Sequence, residues 1–269
     1  MGAQQSVNAG KAKVDMKVDL THMLCEALLL PPLRSSGVTL SQIVGRFLIC
    51  CLFPQNIRPV NNQGHSIARD HDGFPLTCSG NLHDNMIILK QESGYADVND
   101  NSFLKVNFQM EQGLPLVPKS LTFNRVKCAV SKGIKLGPTF LVTSLTGGSI
   151  VGDMAPYQAF AIGGLGSVRG YGEGAVGSGR LCLIANCEYT IPLVKHLEGS
   201  IFMDCGSDLG SARHVPGNPA LRQGKPGFGI GFGYGLHFNT DLGQIRVDYA
   251  MNAFNRKTIY FGINSSGGS

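Results

Sequence analysis

AFAIGGLGSVRGYGEGAVGSGR, residues 159–180, decides how the rest of the chain is read. Eight of its residues are glycine: Gly163, Gly164, Gly166, Gly170, Gly172, Gly174, Gly177 and Gly179. Arg169 and Tyr171 sit in its middle. Glycine at this density makes a poor helix and a poor regular strand, but its backbone turns freely and lies close to other backbone. From Arg180 onward the chain changes in kind. Segments of about ten residues alternate apolar with polar, separated by turn residues, as strands of a membrane β-barrel do. The glycine stretch is therefore read as a long structured loop between barrel strands.

The strands on its C-terminal side carry the clearest pattern. In residues 227–238, Phe228, Ile230, Phe232, Tyr234, Leu236 and Phe238 share one face. Gly227, Gly229, Gly231, Gly233, Gly235 and His237 share the other. An apolar face backed by glycine suits lipid outside and something bulky pressed against the inner surface. The same pattern also fits a sandwich strand packed on one side. In residues 244–250, Ile245, Val247 and Tyr249 face one way, and Arg246 and Asp248 face the other, into a polar lumen on the barrel reading.

Working back, residues 102–111 alternate Leu104, Val106, Phe108 and Met110 with Lys105, Asn107, Gln109 and Glu111. Residues 12–20 alternate Val14, Met16, Val18 and Leu20 with Asp15, Lys17 and Asp19. Further strands are expected at 85–93, 121–130, 139–146, 181–191, 200–204 and 258–263, about ten to twelve in all. Residues 21–41 are irregular, and the apolar run 43–53 fits a strand or a buried segment equally. Residues 54–80 are polar and turn-rich. They read as a solvated loop, since HSIARDHDGF meets no known metal-ligand spacing.

Composition agrees with a barrel and excludes much else. Charged residues are 15%, against roughly 25% in soluble domains. Hydrophobic residues reach 43%, yet no run approaches the ~18 apolar residues of a spanning helix. A soluble β-sandwich or a glycine-rich α/β enzyme fits less well. The net charge of +5 is dispersed, with no basic run of the kind that binds nucleic acid. The eight cysteines are irregularly spaced, unlike a disulfide framework, and point to a reducing compartment of synthesis. Cys182 and Cys187 fall on opposite faces of one strand and so share no metal. The N-terminus lacks the core of a secretory signal peptide. Gly2 and Ser6 fit a myristoylation pattern, a match read as coincidence.

Gly172-Glu173-Gly174-Ala175-Val176-Gly177 fits G-x-G-x-x-G, but the dinucleotide fingerprint needs a strand before it and a helix after it. Here a glycine loop precedes it, and the strand-like LCLIANCEYTI follows. No G-x-S-x-G or H-E-x-x-H occurs. The chain is expected not to be an enzyme and to need no cofactor or metal.

Val168-Arg169-Gly170-Tyr171 resembles the V-R-G-[FY] motif in the long inward loop of BamA-type outer-membrane assembly barrels. Phe202, Asp204 and Gly206 match that family's F-x-D-x-G motif on a following strand. With GGSIVGDMAPYQAFAIGG, EYTIPL and GFGYG, the chain resembles the chloroplast outer-envelope branch, and within it the short members without N-terminal POTRA domains. The resemblance is specific over residues 56–263 and touches GAQQSVNAGKAK.

The resemblance implies an all-β fold, a transmembrane antiparallel β-barrel with the loop folded into its lumen. Residues 1–269 would form one domain of bacterial surface antigen type. Arg169 would reach Asp204 on the inner wall, a pair able to bond bidentately. Gly163, Gly164, Gly166 and Gly172 would let the loop pass close to that wall. It also implies a plastid location, multi-pass in the chloroplast outer membrane. The partners implied are the lipid bilayer, unfolded outer-membrane precursor proteins, and a full-length relative or a second copy, with no nucleic acid. The function implied is insertion or translocation of proteins at that membrane. Two others stay open: a voltage-sensitive pore, and a non-catalytic partner subunit of a full-length relative. Full-length relatives close more strands than are read here. A smaller barrel, or pairing with another chain, must therefore satisfy the edges, because lipid tolerates no open edge.

Overall fold

The computed structural model describes residues 13–15, 55–60, 63–69, 73–216, 225–240 and 243–265. Three short strands come first: β1 (Lys13–Asp15), β2 (Gln55–Ile57) and β3 (Asp84–Met86). Four long ones follow: β4 (Ile88–Asn99), β5 (Ser102–Gly113), β6 (Phe123–Leu136) and β7 (Thr139–Gly152). Inside the glycine loop lie β8 (Phe160–Ile162) and β9 (Gly177–Gly179). Five more long strands complete the chain: β10 (Leu181–Val194), β11 (Leu197–Ser207), β12 (Phe228–Thr240), β13 (Gly243–Asn252) and β14 (Lys257–Ser265).

The main sheet has ten strands in the order β1-β4-β5-β6-β7-β10-β11-β12-β13-β14. Every neighbouring pair in it is antiparallel. Among the described residues, β1 and β14 are its edges. β2 pairs with β3, and β8 with β9, outside the main sheet. At one end the strands are joined by two-residue turns such as Gly137-Pro138 and Lys195-His196. At the other end the connections run from four residues between β13 and β14 to the long segment between β7 and β10 that holds the glycine loop.

Alternation sorts the side chains of β12. Phe228, Ile230, Phe232, Tyr234, Leu236 and Phe238 lie between 36% and 61% exposed on the outer face. Across the register Phe232 stands beside Met203 of β11 and Met251 of β13, and Tyr234 beside Tyr249. An exposed apolar surface of this extent needs a lipid or protein partner. The glycines of β12 face inward, in register with Asp204 and Asp248. Cys182 is buried on the inner face, and Cys187 stands on the outer one.

Most strands extend beyond the expected limits. β7 was expected to end at Thr146 and runs to Gly152, because Gly147 and Gly148 blur the alternation without ending the pairing. A Cβ on Gly148 would sit 2.6 Å from the Phe160 ring, which belongs to the loop. The strand expected at 85–93 divides at Ile87 into β3 and β4, and β4 continues to Asn99. The Ile87 carbonyl leaves the ladder to accept the Leu114 N–H at 2.8 Å.

The polar segment 54–80 is not wholly a solvated loop. Thr77 is buried, and just beyond the segment Asp84 is fully buried. The Asp84 carboxylate accepts the N–H groups of Cys78 and Ser79 at 2.9 and 2.8 Å and the Tyr157 hydroxyl at 3.0 Å. Burial and the Asp84 charge push the Tyr157 phenol above its ordinary value, so it stays a donor. The expectations for residues 16–20, 21–41 and 43–53 lie outside the described residues, as do Asp70, His71 and Asp72.

A charge on the outer face separates this arrangement from a water-facing sheet. Phe232→Arg is expected to destabilise the protein in bilayers by about 2–4 kcal/mol, read from denaturant unfolding in lipid vesicles. No change would place that face in water.

Candidate functional site: the lumen loop and its anchor

The loop enters the inner side of the sheet through its own hydrophobic cluster. Ile162, Val168, Tyr171 and Val176 from the loop pack with Ile150 of β7 and with Cys182 and Ile184 of β10. Val168 and Val176 are fully buried. The loop closes on itself through bonds donated by its main-chain N–H groups. The Gly163 N–H donates to the Ser167 hydroxyl at 2.7 Å, the Gly164 N–H to the Val168 carbonyl at 3.1 Å, and the Ala175 N–H to the Gly172 carbonyl at 3.0 Å. Gly166 lies at the loop tip and lines a cavity of about 280 Å³ with Leu165, Arg169, Glu188, Arg246 and Asp248.

Arg169 is 6% exposed, and every arm of its side chain is engaged. Nε and Nη2 donate to the two oxygens of Asp204 at 2.7 and 3.0 Å, a bidentate pair. The Arg169 backbone N–H adds a third bond to Asp204 at 3.1 Å. Nη1 donates to Glu188 at 2.8 Å and to Asp248 at 3.1 Å. The guanidinium lies over the Phe202 ring, 3.4 Å from its centroid. Burial alone pulls a guanidinium down; the hydrogen bonds and charges of Asp204 and Glu188 outweigh it and hold Arg169 above its ordinary value. Charge-assisted bonds of this kind contribute about 1.5–3 kcal/mol each.

Around Arg169 the inner wall is built to receive it. Arg246 donates to Glu188 at 2.9 Å and to Asp248 at 3.2 Å. The Asn186 amide donates to Asp204 at 2.9 Å and to the Ser167 carbonyl at 2.6 Å, tying wall to loop. The buried His237 ring nitrogen stands 3.6 Å from Asp248 and 3.2 Å from the Ser200 hydroxyl. Two guanidiniums thus share three carboxylates, with His237 beside the third.

Each member of the two motifs has a visible task. Gly206 leaves the space that Val168 and Ile162 fill, since a Cβ there would lie 2.7 and 2.9 Å from their methyl groups. Gly170 holds φ +92°, in the left-handed region, with the β13 backbone against it. Its N–H donates to the Tyr260 hydroxyl at 3.0 Å, and its carbonyl accepts the Asn252 amide at 2.9 Å. The Tyr260 hydroxyl then donates to the Tyr171 carbonyl at 2.7 Å. The inward glycines of β12 complete the fit. A Cβ on Gly231 would run into the Arg169 carbonyl, and one on Gly229 would meet Val176 and the Tyr171 ring at 2.7 and 3.0 Å.

Sequence reasoning brought Arg169 to Asp204 but missed Glu188, Asn186, Asn252 and Tyr260. It placed Arg246 and Asp248 on the lumen face without joining them to Arg169. Their signal was a polar residue alternating with apolar ones, which marks a face and not a partner.

Three substitutions read this site. Arg169→Ala leaves Asp204 with no cation and leaves Glu188 and Asp248 to Arg246 alone, and is expected to cost about 3–5 kcal/mol. Tyr260→Phe leaves the Gly170 N–H and the Tyr171 carbonyl unmet and is expected to cost about 1–3 kcal/mol. Gly231→Ala is expected to unseat the loop, exposing it to protease while the sheet persists. Unfolding in detergent and limited proteolysis measure all three; wild-type behaviour in Arg169→Ala would deny the anchor.

The sequence model of the Omp85 superfamily domain matches residues 71–266. Outer envelope protein 39, chloroplastic, from Arabidopsis thaliana is 46% identical over 357 aligned positions, covering 98% of this chain and 99% of the relative. This chain has 269 residues, so that relative carries internal sequence that this one lacks. Outer envelope protein 80, chloroplastic, from Arabidopsis thaliana is 44% identical over 203 residues, covering 76% of this chain and 28% of the relative. The crystal structure of BamA from Haemophilus ducreyi lacking POTRA domains 1–3 superposes with a TM-score of 0.51 at 16% identity, over 76% of this chain and 44% of that one. That likeness carries the β-barrel fold to the ten-stranded sheet. The chain belongs to the Omp85 superfamily, among the β-barrels of the chloroplast outer envelope involved in protein insertion or translocation.

Proposed function

We propose that this chain takes unfolded outer-membrane precursor proteins as clients at the chloroplast outer envelope, with loop 159–180 seated in its lumen as a plug. The observation that carries this reading is Arg169, held by carboxylates from β10, β11 and β13 at once. A loop fixed to three strands sets both the free width and the charge of the lumen. The strands β1 and β14, edges among the described residues, support strand pairing with a client, a full-length relative or a second copy, because N–H and C=O groups left unpaired in lipid are costly.

The charged cavity at the loop tip supports a second reading, a voltage-sensitive pore. A channel of this kind needs a polar lumen and a movable element that carries charge. Glu188, Arg246 and Asp248 line the polar side of the lumen, and the loop bearing Arg169 would be the element that moves when its bonds to them are released.

Liposome reconstitution tests the first reading. The chain is expected to speed the folding of an added unfolded barrel precursor into a protease-resistant form, and Arg169→Ala to slow that several-fold. Equal rates with and without the chain would overturn it. Planar-bilayer recordings test the second. Discrete conductance steps are expected, with an open level altered in Arg169→Ala; a silent bilayer containing folded chain rules out the pore.

A further inference from the structure

The charges on the inner face are unevenly distributed. On the side away from the anchor, β4 to β6 place five cations on this face: Lys90, Lys105, Arg125, Lys127 and Lys135. They place two carboxylates there, Glu92 and Glu111. Lys90 and Arg125 are both spent on Glu111, at 3.3 and 3.1 Å. Glu92 accepts from the Gln109 amide at 3.2 Å. Lys105, Lys127 and Lys135 remain, with no ion pair among the described residues.

The register fixes their direction. Lys105 lies in the cross-strand row that runs through Ser131, Ser144 and Asn186 to Asp204. Lys127 lies in the row of Gly148 and Cys182, under the loop cluster. Lys135 lies in the row of Phe140, nearest the two-residue turns. Lys105 and Lys135 are exposed.

The opposite wall is the reverse. Its carboxylates Asp204, Glu188 and Asp248 are engaged by Arg169 and Arg246, and Glu198 accepts from the Asn239 amide at 2.9 Å. Seating the loop therefore pairs Asp204, Glu188 and Asp248 with guanidiniums and leaves the three lysines of the other wall without counter-charges. Rings or stripes of lysine select anions in a pore, because field lines concentrate between low-dielectric walls.

We propose that the lumen is selective for small anions, which pass along the wall formed by Lys105, Lys127 and Lys135. This rests on the pore reading and adds the class of solute. The wild-type chain in a planar bilayer under a potassium chloride gradient is the first measurement, and the reversal potential is expected to report chloride passing more readily than potassium. The triple variant Lys105→Gln, Lys127→Gln, Lys135→Gln is expected to reduce the chloride-to-potassium permeability ratio by roughly twofold or more. Should the triple variant fail to fold, Lys105→Gln and Lys135→Gln alone, both exposed sites, are expected to shift the ratio in the same direction. Conductance that prefers potassium overturns the proposal and leaves the pore reading intact. A chloride preference unchanged by the variants overturns the assignment to these lysines. A silent bilayer removes the pore reading and this proposal with it.

Discussion

The bidentate pair of Arg169 and Asp204 governs the interior of this protein. Taking a guanidinium and a carboxylate out of water costs several kcal/mol for each ion, and Coulomb attraction offsets that only when the geometry is good and the other valences are met. Here they are met. Asp204 takes three bonds from Arg169 and one from Asn186. The two N–H groups of Arg169 Nη1 go to Glu188 and Asp248. The ring of Phe202 closes the remaining face. An arginine so satisfied has one position, and the loop that bears it inherits that position.

That precision depends on what the wall lacks. Gly206, Gly229 and Gly231 are on strands, where glycine weakens the sheet through its entropy. Each is paired with a specific loop atom that would otherwise collide: Val168 and Ile162, Val176 and Tyr171, and the Arg169 carbonyl. The sheet gives up side-chain contacts so that the loop backbone can lie on it. The outer surface of the same strand shows the complementary choice, with six large apolar residues meeting lipid. One strand thus performs two jobs through its two-residue period.

This division explains how much was legible in advance. The outer face was legible because lipid demands an apolar residue at every second position, as in Phe228 to Phe238. Arg169 and Asp204 were legible because both lie in short motifs read together. Strand ends were not, because Gly147 and Gly148 carry no polarity to mark a face. Glu188, Asn186 and Tyr260 were not, because their meaning arises from register. Asn186 stands opposite Asp204 and Ser144 only once β7, β10 and β11 are aligned. Sequence alternation says which side of a strand a residue takes, while the hydrogen-bond ladder decides whom it meets.

Tyr260 links the anchor to the edge of the sheet. It sits on β14, whose far side has no neighbour among the described residues. The outward residues of that strand, Ile259, Phe261 and Ile263, are 58%, 76% and 79% exposed, since one flank gives them no cover. Its inward Tyr260 holds the loop backbone on both sides of Tyr171, through Gly170 N–H and Tyr171 C=O. Asn252 at the end of β13 holds the Gly170 carbonyl. Lifting the loop therefore frees β14 from its only side-chain hydrogen bonds to the lumen among the described residues. Moving β14 outward leaves two polar main-chain groups of a buried motif without partners. The state of the loop and the state of the open edge are therefore coupled through the two bonds of Tyr260. Glycine at position 170 is what allows this coupling, because its left-handed backbone turns the N–H toward Tyr260 and the carbonyl toward Asn252 within a single residue.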